Sequence, residues 1–369
     1  MKKILVTGPK DPPGGVERVC LEYIRRMQAG NDLQFDILIL GEGFSLAPDF
    51  RKLGCRVLYL PPRRQDPAAF RRGLARVITE GAYYAVWANV SGLTNVDVLR
   101  EAKKQGVKTR IVHSHVASLS WSGALMRVLV PLLHAKNKRR IDRLATDFWA
   151  CSETAGRFMF PARVHGRVVV RRNAVDTAAF SPDAEKRART RAALGLSDAF
   201  TVGHVARLCR EKNQPFLLET FAAVRGKDPT ARLLLVGDGE ARQALEAQIE
   251  ALRLSDAVIM TGARTDVADL LNAMDVFVFP SFKEGLGLSV IEAEAVGLPC
   301  VVSDGVPKDV DLTGNVTFMS LADAPAQWAA EILKKKNTQT TRPAEALRRA
   351  GYDLDAAAAE LRTFFEDLP

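Results

Sequence analysis

The sequence predicts an α/β protein with two doubly wound parallel-sheet domains. Short apolar runs rich in β-branched residues recur along the chain, as in strands that are buried on both faces of a parallel sheet. Segments of helical length separate these runs in both halves of the chain. The length of 369 residues suits two domains of roughly 150 residues each.

The strand candidates form two sets. Those of the first half are KKILVTG, FDILILG, RVLYLP, YAVWANV, TRIVHSH and DFWACS. Those of the second half are FTVGHVARL, ARLLLVGDG, AVIMTG, VFVFPS, CVVSD and VTFMS. Ligands bind beyond the carboxyl ends of the strands in open parallel sheets. We therefore expect two Rossmann-like domains that face each other across a cleft, with functional residues directly after the strands.

The domain boundary is predicted near residue 175, within VVVRRNAVDTAAFSPDAEKRAR, where a turn-prone Ser-Pro-Asp follows the last strand of the first half. We expect residues 1–175 and 176–349 to form the two domains. A C-terminal helix at about 350–369 is expected to pack back on the first domain.

Composition and charge describe an ordinary globular protein with an uneven charge distribution. Apolar residues make up 47% of the chain and charged residues 26%. Residues 1–180 contain 30 Lys and Arg against 15 Asp and Glu, a net charge of +15, and the remainder carries −6. The basic half suggests a polyanionic or membrane-surface partner, or simply arginines that are solvated at the surface.

Targeting and redox signals favour the cytoplasm. The chain has five cysteines, an odd number, and none lies at metal-ligand spacing from another, as expected for a reduced protein. The N-terminal MKKILVTG is too short for a signal-peptide core. The best candidate for a membrane span, WSGALMRVLVPLLHA, is interrupted by Arg127 and Pro131, so we predict no transmembrane helix.

The strongest chemical signal is PSFKEGLGLSVIEAEAVGLP, residues 280–299. Glu284 follows a predicted buried strand and precedes a loop with two glycines, which let a ligand approach the backbone. A helix is predicted from about 288 to 296, and its first N–H groups suit a diphosphate. Glu292 lies about one turn into this helix, and a carboxylate can accept two hydrogen bonds from a vicinal diol.

Each acid also has a structural interpretation. Ser289 and Glu292 have the spacing of a capping box, which would stabilise the helix start without a ligand. Glu284 could be a solvated loop residue.

A second signal is GHVARLCREKNQPFLLETF, residues 203–221. Arg207 ends a predicted strand, and Lys212 follows before a helix that begins near Pro215. Two cations beside a helix start can hold a diphosphate and stabilise the charge of a nucleoside diphosphate leaving group. Taken alone, the two cations would more often be ordinary surface residues.

Two further features are less specific. Gly14 and Gly15 lie between a strand and a helix, but the spacing from Gly8 is not that of a dinucleotide fingerprint. They predict a flexible loop beside a phosphate or sugar, or an ordinary turn. His113 and His115 at a strand end are expected to point to opposite faces, with only one in the cleft. Without a third ligand they do not predict a metal site.

Together these motifs resemble the GT-B glycosyltransferases, and among them the retaining family 4, glycosyl transferases group 1. The matching features are the Gly14–Gly15 loop, His115, NAVD at 173–176, ARLCREKN with Arg207 and Lys212, VGDGE at 236–240, and Glu284 and Glu292 as the E-x7-E pattern. The resemblance spans most of the chain. It looks closest to the branch found in bacterial exopolysaccharide and capsule gene clusters.

The resemblance implies an acceptor-side first domain and a second domain that binds a UDP- or GDP-linked sugar. Arg207 and Lys212 would hold the diphosphate, Glu284 and His115 would face the donor sugar, and Glu292 would hold the ribose. The remaining donor-binding positions that it implies are Gly14, Gly15, Gly237, Gly285, Leu286, Gly287 and Leu288.

The implied chemistry is transfer with retention to a lipid-linked or saccharide acceptor, by front-face attack with the leaving phosphate as base. It requires no protein nucleophile, no metal and no cofactor beyond the nucleotide-sugar substrate, and DVD at 309–311 reads as a turn. Two positions depart from the family pattern. Ala174 replaces a frequent glycine, and Val116 replaces a frequent Asn or Asp after His115.

The segment at 121–144, WSGALMRVLVPLLHAKNKRRIDRL, combines apolar and basic residues. It suggests peripheral association with an anionic membrane surface, at the inner face of the cytoplasmic membrane; the alternative is a core helix with a solvated end. The rival functions are a nucleotide-sugar epimerase of similar fold and a catalytically silent nucleotide-sugar-binding scaffold. Nucleic-acid binding is not expected, since no recognised motif is present.

Overall fold

The computed structural model describes residues 1–11, 13–28, 32–116, 124–196, 198–336, 338 and 343–368, without the side chains of 124, 125 and 127. These residues form two compact units. Unit 1 comprises Met1–Ala174 and Leu354–Pro369, and unit 2 comprises Val175–Asp353. Unit 1 is thus discontinuous in sequence. Its second segment begins at residue 354, a few residues after the expected position near 350.

Each unit contains one parallel sheet, which confirms the predicted fold class. The strands of unit 1 are β1 (Lys2–Thr7), β2 (Leu33–Leu40), β3 (Arg56–Leu60), β4 (Ala85–Val90), β5 (Thr109–Ser114), β6 (Asp147–Ala150) and β7 (Val168–Val170). Those of unit 2 are β8 (Thr201–Val205), β9 (Arg232–Val236), β10 (Val258–Met260), β11 (Val276–Phe279), β12 (Cys300–Ser303) and β13 (Val316–Met319). The short strand β7 lies in a segment that the sequence assigned to the domain join.

Helices alternate with the strands as the periodicity predicted. They are α1 (Gly15–Met27), α2 (Ala47–Lys52), α3 (Pro67–Gly81), α4 (Asp97–Lys104), α5 (Ala124–Lys138), α6 (Glu153–Met159), α7 (Ala184–Ala193), α8 (Gln214–Lys227), α9 (Arg242–Ala251), α10 (Val267–Asn272), α11 (Leu288–Ala295), α12 (Pro325–Lys334), α13 (Pro343–Arg349) and α14 (Leu354–Glu366). Helices α1–α6 and α14 belong to unit 1.

Both sheets reverse their strand order at one point. Unit 1 has the order β3-β2-β1-β4-β5-β6-β7, and unit 2 has the order β10-β9-β8-β11-β12-β13. The order therefore reverses between β1 and β4 and between β8 and β11. At such a switch point the neighbouring loops run in opposite directions and leave a crevice beyond the carboxyl ends of the strands.

The core of each unit lies on both faces of its sheet. All four residues of β11 are buried, as the unbroken apolar run predicted. In unit 1, α14 packs on α1, and the ring centroid of its Phe365 lies 5.8 Å from those of Phe35 and Trp87.

The five cysteines are buried, and none forms a disulfide. Among the helices of the described ranges, none has both the length and the apolar character needed to cross a bilayer.

Candidate functional site

Two loops meet at the switch point of unit 2. Strands β8 and β11 are hydrogen-bonded neighbours. The 3₁₀ turn Arg210–Lys212 follows β8, and residues 281–284 follow β11. The backbone N–H of Phe282 donates to the carbonyl oxygen of Glu211 at 2.9 Å, which joins the two loops. Residues 72 positions apart in the chain are therefore brought together by the sheet.

Lys212 and Glu284 form an ion pair where these two loops meet. The Lys212 ammonium donates to Oε1 of Glu284 at 2.6 Å, and the two side chains are 22% and 11% exposed. The hydroxyl of Ser281 also donates to this carboxylate. The Lys212 ammonium lies 5.1 Å from the centre of the Phe279 ring, a cation–π contact. Both charges are thus largely removed from water but paired.

The backbone around Glu284 is fixed by close packing. The Glu284 N–H donates to the carbonyl oxygen of Gly305 at 3.0 Å. A Cβ at Gly305 would lie 2.4 Å from the carbonyl oxygen of Phe282, so glycine is required there. The hydroxyl of Ser303 donates to the Ser281 carbonyl. The loop after β11 is therefore anchored to the loop after β12.

Arg207 differs from Lys212 in its exposure. Its side chain is 60% exposed, and its guanidinium lies 4.0 Å from the carboxylate of Glu240. Its backbone is held by Gln214, whose Nε2 donates to the Arg207 carbonyl at 3.0 Å. Of the two cations that the sequence predicted as phosphate-binding, Arg207 is thus mostly exposed and Lys212 is closely paired.

Buried His204 supports this loop from below. Its Nδ1 donates to the carbonyl oxygen of Val278 at 2.8 Å, and its Nε2 lies 3.3 Å from Nε2 of Gln214. Burial lowers the pKa of His204 to about 4. The neutral ring can therefore accept from Gln214 while it donates to β11.

Gly237 lets two loops approach each other. Its φ is +134°, and a Cβ there would lie 1.9 Å from the carbonyl oxygen of Ala206. Gly239 has the same relation to the carbonyl oxygen of Leu208, with a Cβ distance of 2.3 Å. These glycines set the position of the Arg207 backbone, because Arg207 lies between the two carbonyls.

The glycine loop after Glu284 leads into α11. Gly287 is the N-cap residue, with φ +85°, and the helix begins at Leu288. The first N–H groups of a helix have no intrahelical acceptors and can bind an anion. Leu286 is buried in the core of unit 2, so its side chain has a packing role.

The capping-box interpretation of Ser289 and Glu292 is wrong. Ser289 lies inside the helix at its second position, and the N-cap is a glycine without a side-chain cap. Glu292 lies one turn into α11 and is partly exposed, as expected, whereas Glu294 is completely buried. The carboxylate of Glu294 accepts from the Thr313 N–H at 3.0 Å and from the Thr313 hydroxyl at 2.6 Å.

The prediction that His113 and His115 point to opposite faces is also wrong. Their ring centroids lie 4.1 Å apart. Side chains alternate along a strand, so residues two positions apart share a face. His113 is fully buried between Trp87, whose indole N–H donates to its Nδ1 at 3.3 Å, and the carbonyl of Arg171.

His115 lies beyond β5, near the switch point of unit 1. Its Nε2 is 2.8 Å from Oδ1 of Asn89, a residue of β4. Asn89 Nδ2 donates to the Thr7 carbonyl at 3.3 Å, where β1 ends. A Cβ at Gly8 would lie 2.0 Å from the Asn89 carbonyl oxygen, and its φ is +107°. Asn89 thus joins His115 to the start of the loop that follows β1 and contains Gly14 and Gly15.

The Gly14–Gly15 loop is shaped by a buried acid. The carboxylate of Glu17, which is 3% exposed, accepts from the Gly14 N–H at 2.7 Å and from the Lys10 N–H at 3.2 Å. Gly14 is the N-cap of α1, which begins at Gly15. The loop contains Pro12, which lies outside the described residues.

Reasoning from the sequence did not identify several supporting residues: Ser281 and Gln214 in unit 2, and Asn89 and Glu17 in unit 1. Buried polar residues beside strand ends would have been the signal. No group of three or more His, Cys, Asp or Glu side chains in the described ranges could hold a metal ion. Residues 309–311 lie in the turn after β12, where Lys308–Val310 form a 3₁₀ helix.

Comparison with known proteins provides an independent view of the site. Residues 199–335 match the profile of a family described as glycosyl transferases group 1. EpsF of Bacillus subtilis (strain 168), whose name describes a glycosyltransferase, is 32% identical over 356 residues, which cover 92% of this chain and 90% of EpsF.

Two further proteins resemble the chain over its whole length. A GDP-mannose-dependent alpha-(1-6)-phosphatidylinositol monomannoside mannosyltransferase of Mycobacterium tuberculosis (strain ATCC 25618 / H37Rv) is 26% identical and covers 99% of this chain and 98% of its own. The crystal structure of Anabaena Alr3699/HepE in complex with UDP-glucose has a TM-score of 0.79 at 20% identity, with full coverage of both chains. At this identity the structural match shows the fold alone.

Proposed function

Because the chain belongs to the glycosyl transferases group 1 and has the GT-B fold, we propose that it transfers a sugar from a nucleotide-diphosphate sugar to a lipid-linked or saccharide acceptor with retention of configuration. The observation that carries this proposal is the Lys212–Glu284 pair at the switch point of unit 2, with Arg207 after the same strand.

In the proposed donor site, the cations and the carboxylates bind different parts of the substrate. Arg207 and Lys212 bind the diphosphate, whose negative charge grows as the glycosidic bond breaks. The N–H groups from Gly285 to Leu288, in the loop that leads into α11, lie beside the phosphate and sugar. Glu284 accepts from hydroxyls of the donor sugar, and Glu292 accepts from the ribose hydroxyls.

The proposed reaction takes place on one face of the sugar. The acceptor hydroxyl attacks from the side of the leaving diphosphate, and a phosphate oxygen takes the hydroxyl proton. The anomeric carbon–oxygen bond to the diphosphate breaks while the bond to the acceptor forms. The fixed cations stabilise the departing charge in the way that a divalent ion would, so we propose that transfer is metal-independent and expect EDTA to leave the rate unchanged.

The donor is proposed to carry UDP or GDP. UDP is supported by HepE, which was solved with UDP-glucose, and GDP by the mycobacterial relative, which is GDP-mannose-dependent. Calorimetric titration of the wild-type protein with UDP, GDP, ADP and NAD at low salt tests this. Tight binding of one nucleoside diphosphate supports a donor site. Binding of none by folded protein contradicts it.

A product analysis separates transfer from the alternatives. The protein is incubated with the nucleotide sugar whose nucleotide it binds, with and without a panel of saccharide and lipid-linked acceptors. Acceptor-dependent release of the nucleoside diphosphate supports transfer. A change in the sugar without acceptor would indicate an epimerase, and binding without turnover would indicate a silent scaffold. NMR of the new anomeric centre tests retention.

We further propose that the acceptor belongs to the synthesis of a bacterial surface polysaccharide and that the protein works in the cytoplasm at the membrane surface. The phosphatidylinositol monomannoside acceptor in the name of the mycobacterial relative supports a lipid-linked acceptor. In this chain, the observation that favours a membrane surface is the polarity of α5.

Helix α5 has polar anchors on its inner side and apolar side chains on its outer side. His134 Nδ1 accepts from the Leu93 N–H at 3.1 Å, and Asn137 Nδ2 donates to the Leu93 carbonyl at 2.7 Å. Val128 and Leu132 are 62% and 63% exposed. Val130 is buried as well, but the exposed positions of a surface helix in water are usually polar, and here two of them are apolar.

The end of α5 is basic. Lys136, Arg139 and Arg140 are exposed, but the Lys138 ammonium is held by the Phe158 carbonyl at 2.6 Å. Exposed apolar side chains followed by cations fit the interface of an anionic bilayer. Residues 121–123 and the side chain of Arg127, part of the predicted membrane segment, lie outside the described residues.

Co-sedimentation with vesicles of phosphatidylcholine, with and without phosphatidylglycerol, tests this surface. We expect binding only to the anionic vesicles and less binding at high salt. The double substitution Val128→Ser and Leu132→Ser should weaken it. Leu40→Ser removes a leucine that is 46% exposed in another part of unit 1 and serves as the control. Equal binding by all variants, or none by the wild type at low salt, contradicts the proposal.

A further inference from the structure

The tautomer of His115 is determined by its neighbours. The Thr7 carbonyl oxygen can only accept, so the amide group of Asn89 must direct Nδ2 towards Thr7 and Oδ1 towards His115. The proton on the imidazole must then lie on Nε2, which donates to Asn89 Oδ1 at 2.8 Å. Burial lowers the pKa of His115 to about 4, so the ring is neutral near pH 7 and its Nδ1 carries a lone pair.

Two buried polar atoms, one in this ring and one in a neighbouring side chain, are unsatisfied within the described part of the chain. His115 Nδ1 and Asn173 Oδ1 are both inaccessible to water and have no hydrogen-bond partner among the described residues. The Asn173 side chain interacts with the His115 ring and tends to raise its pKa. Two acceptors that face each other leave both unsatisfied, which is unfavourable in a buried position. Turning the amide places Nδ2 against Nδ1 and satisfies the imidazole.

The backbone on both sides of Asn173 is fixed by one hydroxyl. The Tyr23 hydroxyl of α1 donates to the Arg172 carbonyl at 2.5 Å and accepts from the Ala174 N–H at 3.4 Å. Tyr23 itself is 1% exposed. Asn173 is therefore held beyond the end of β7 with little freedom to move away from His115.

A second titratable group, His113, faces His115, and the two ring centroids lie 4.1 Å apart. Burial lowers the pKa of His113 well below its ordinary value. Trp87 donates to its Nδ1, so its Nε2 proton is directed to the Arg171 carbonyl. Both histidines are thus neutral, and neither needs an anion beside it.

We propose that Asn173 is a positioning residue, whose amide Nδ2–H donates to Nδ1 of His115 and holds the imidazole in one orientation as the neutral Nε2–H tautomer. An asparagine suits this position because its amide donates without bringing a charge. An aspartate would have nearly the same shape but could only accept. The role of this orientation in catalysis rests on the proposed function, in which His115 faces the donor sugar, whereas the contact itself does not.

The substitution Asn173→Asp tests the contact directly. With a carboxylate at position 173 and Asn89 Oδ1 at Nε2, both neighbours accept, which favours the imidazolium form of His115. We expect the pKa of His115 to rise by about one to three units, as for an opposite charge at this distance. The measurement is ¹H–¹⁵N correlation of protein labelled with ¹⁵N-histidine between pH 5 and 8, with the His115 signal assigned by its loss in His115→Gln.

Asn95→Asp provides a matched control. Asn95 is also in unit 1, and its side chain accepts from the Asp97 N–H at 2.8 Å at the start of α4. The Asn95→Asp substitution should leave the His115 signal unchanged. If Asn173→Asp also left the tautomer and titration of His115 as in the wild type, the contact would be ruled out. Circular dichroism and thermal melting show whether each variant is folded, and Asn173→Ala removes the amide without a charge if the aspartate variant does not fold. An unchanged ¹⁵N shift of His115 Nδ1 in that alanine variant would overturn the proposal.

Enzyme kinetics then test whether the position of His115 matters. For Asn173→Asp, kcat/KM should be depressed at low pH and recover as His115 loses its proton, whereas the wild type should show no such step. An unchanged pH profile despite an altered His115 titration would overturn the positioning role. A wild-type protein without donor binding or turnover would instead contradict the proposed function, so the two failures are distinguishable.

Discussion

The ammonium of Lys212 donates to the carboxylate of Glu284 at 2.6 Å, and this hydrogen bond joins the loops that follow two neighbouring strands. A paired cation in a partly buried position keeps its place without a ligand. If a diphosphate binds to Lys212, the ammonium is already held in place, so the Lys212 side chain loses little conformational entropy on binding.

We expect Glu284→Ala to lower kcat/KM for transfer by about 10²–10³, because it removes the carboxylate that we propose to bind the donor sugar. It should also cost about 1–3 kcal/mol of stability, since Lys212 and Ser281 lose their shared acceptor. Steady-state kinetics and urea unfolding measure both effects. Lys283→Ala changes the exposed neighbour and should alter neither. Near-normal turnover of Glu284→Ala would remove Glu284 from the proposed site.

Arg207→Ala and Lys212→Ala should weaken the binding of the nucleoside diphosphate by about 10- to 100-fold, since each removes one of the proposed charge-assisted contacts to phosphate. Binding of the corresponding nucleoside should change little. Calorimetry with both ligands measures the difference. Lys227→Ala, at the exposed far end of α8, controls for net charge. Equal losses for nucleoside and diphosphate would contradict a phosphate role.

Gly237→Ala should destabilise unit 2 by about 1–3 kcal/mol or more, because its φ is +134° and the new Cβ would collide with the Ala206 carbonyl. It should also weaken donor binding, because the Arg207 backbone must shift. Gly226→Ala, in open space on α8, should instead be neutral or stabilising. Chemical unfolding of the two variants gives the comparison. Similar stabilities would show that the loops can separate without cost.

Glu294 makes a pH-dependent contribution to stability. Burial raises its pKa to about 7 from an ordinary value of 4.5, so between these values the folded protein holds a proton that the unfolded chain releases. The free energy of unfolding of the wild type, relative to that of Glu294→Gln, should therefore fall as the pH rises from about 4.5 to about 7, and then stay constant. The free energy of unfolding of both proteins is measured by urea titration at several pH values. Parallel curves would mean that Glu294 does not titrate in this range.

The sequence predicted the two parallel sheets because strand and helix patterns are local. It also predicted the strand before Glu284, the helix at α11 and its end at Gly297, which has φ +81°. These features follow from an unbroken apolar run and from glycines at fixed positions. Predicting these elements does not require the tertiary contacts that they make.

Partners across the sheet could not be predicted in the same way. The contact of Asn89 with His115 does not follow from spacing, since β4 and β5 become neighbours only once the strand order is known. The Ser289–Glu292 pattern failed for a related reason. The helix start was set by Gly287 with a positive φ, so the apparent capping serine lies one position inside the helix.

Unit 2 is an insertion into unit 1, because α14 returns to the first sheet after residue 353. The ends of the insertion are neighbours: the Val175 N–H donates to the Tyr352 carbonyl at 2.9 Å. During synthesis, unit 2 therefore has all its residues before unit 1 receives Phe365, which packs on Trp87. Unit 2 is contiguous in sequence and can complete its core on the ribosome, whereas unit 1 lacks its last helix until synthesis ends.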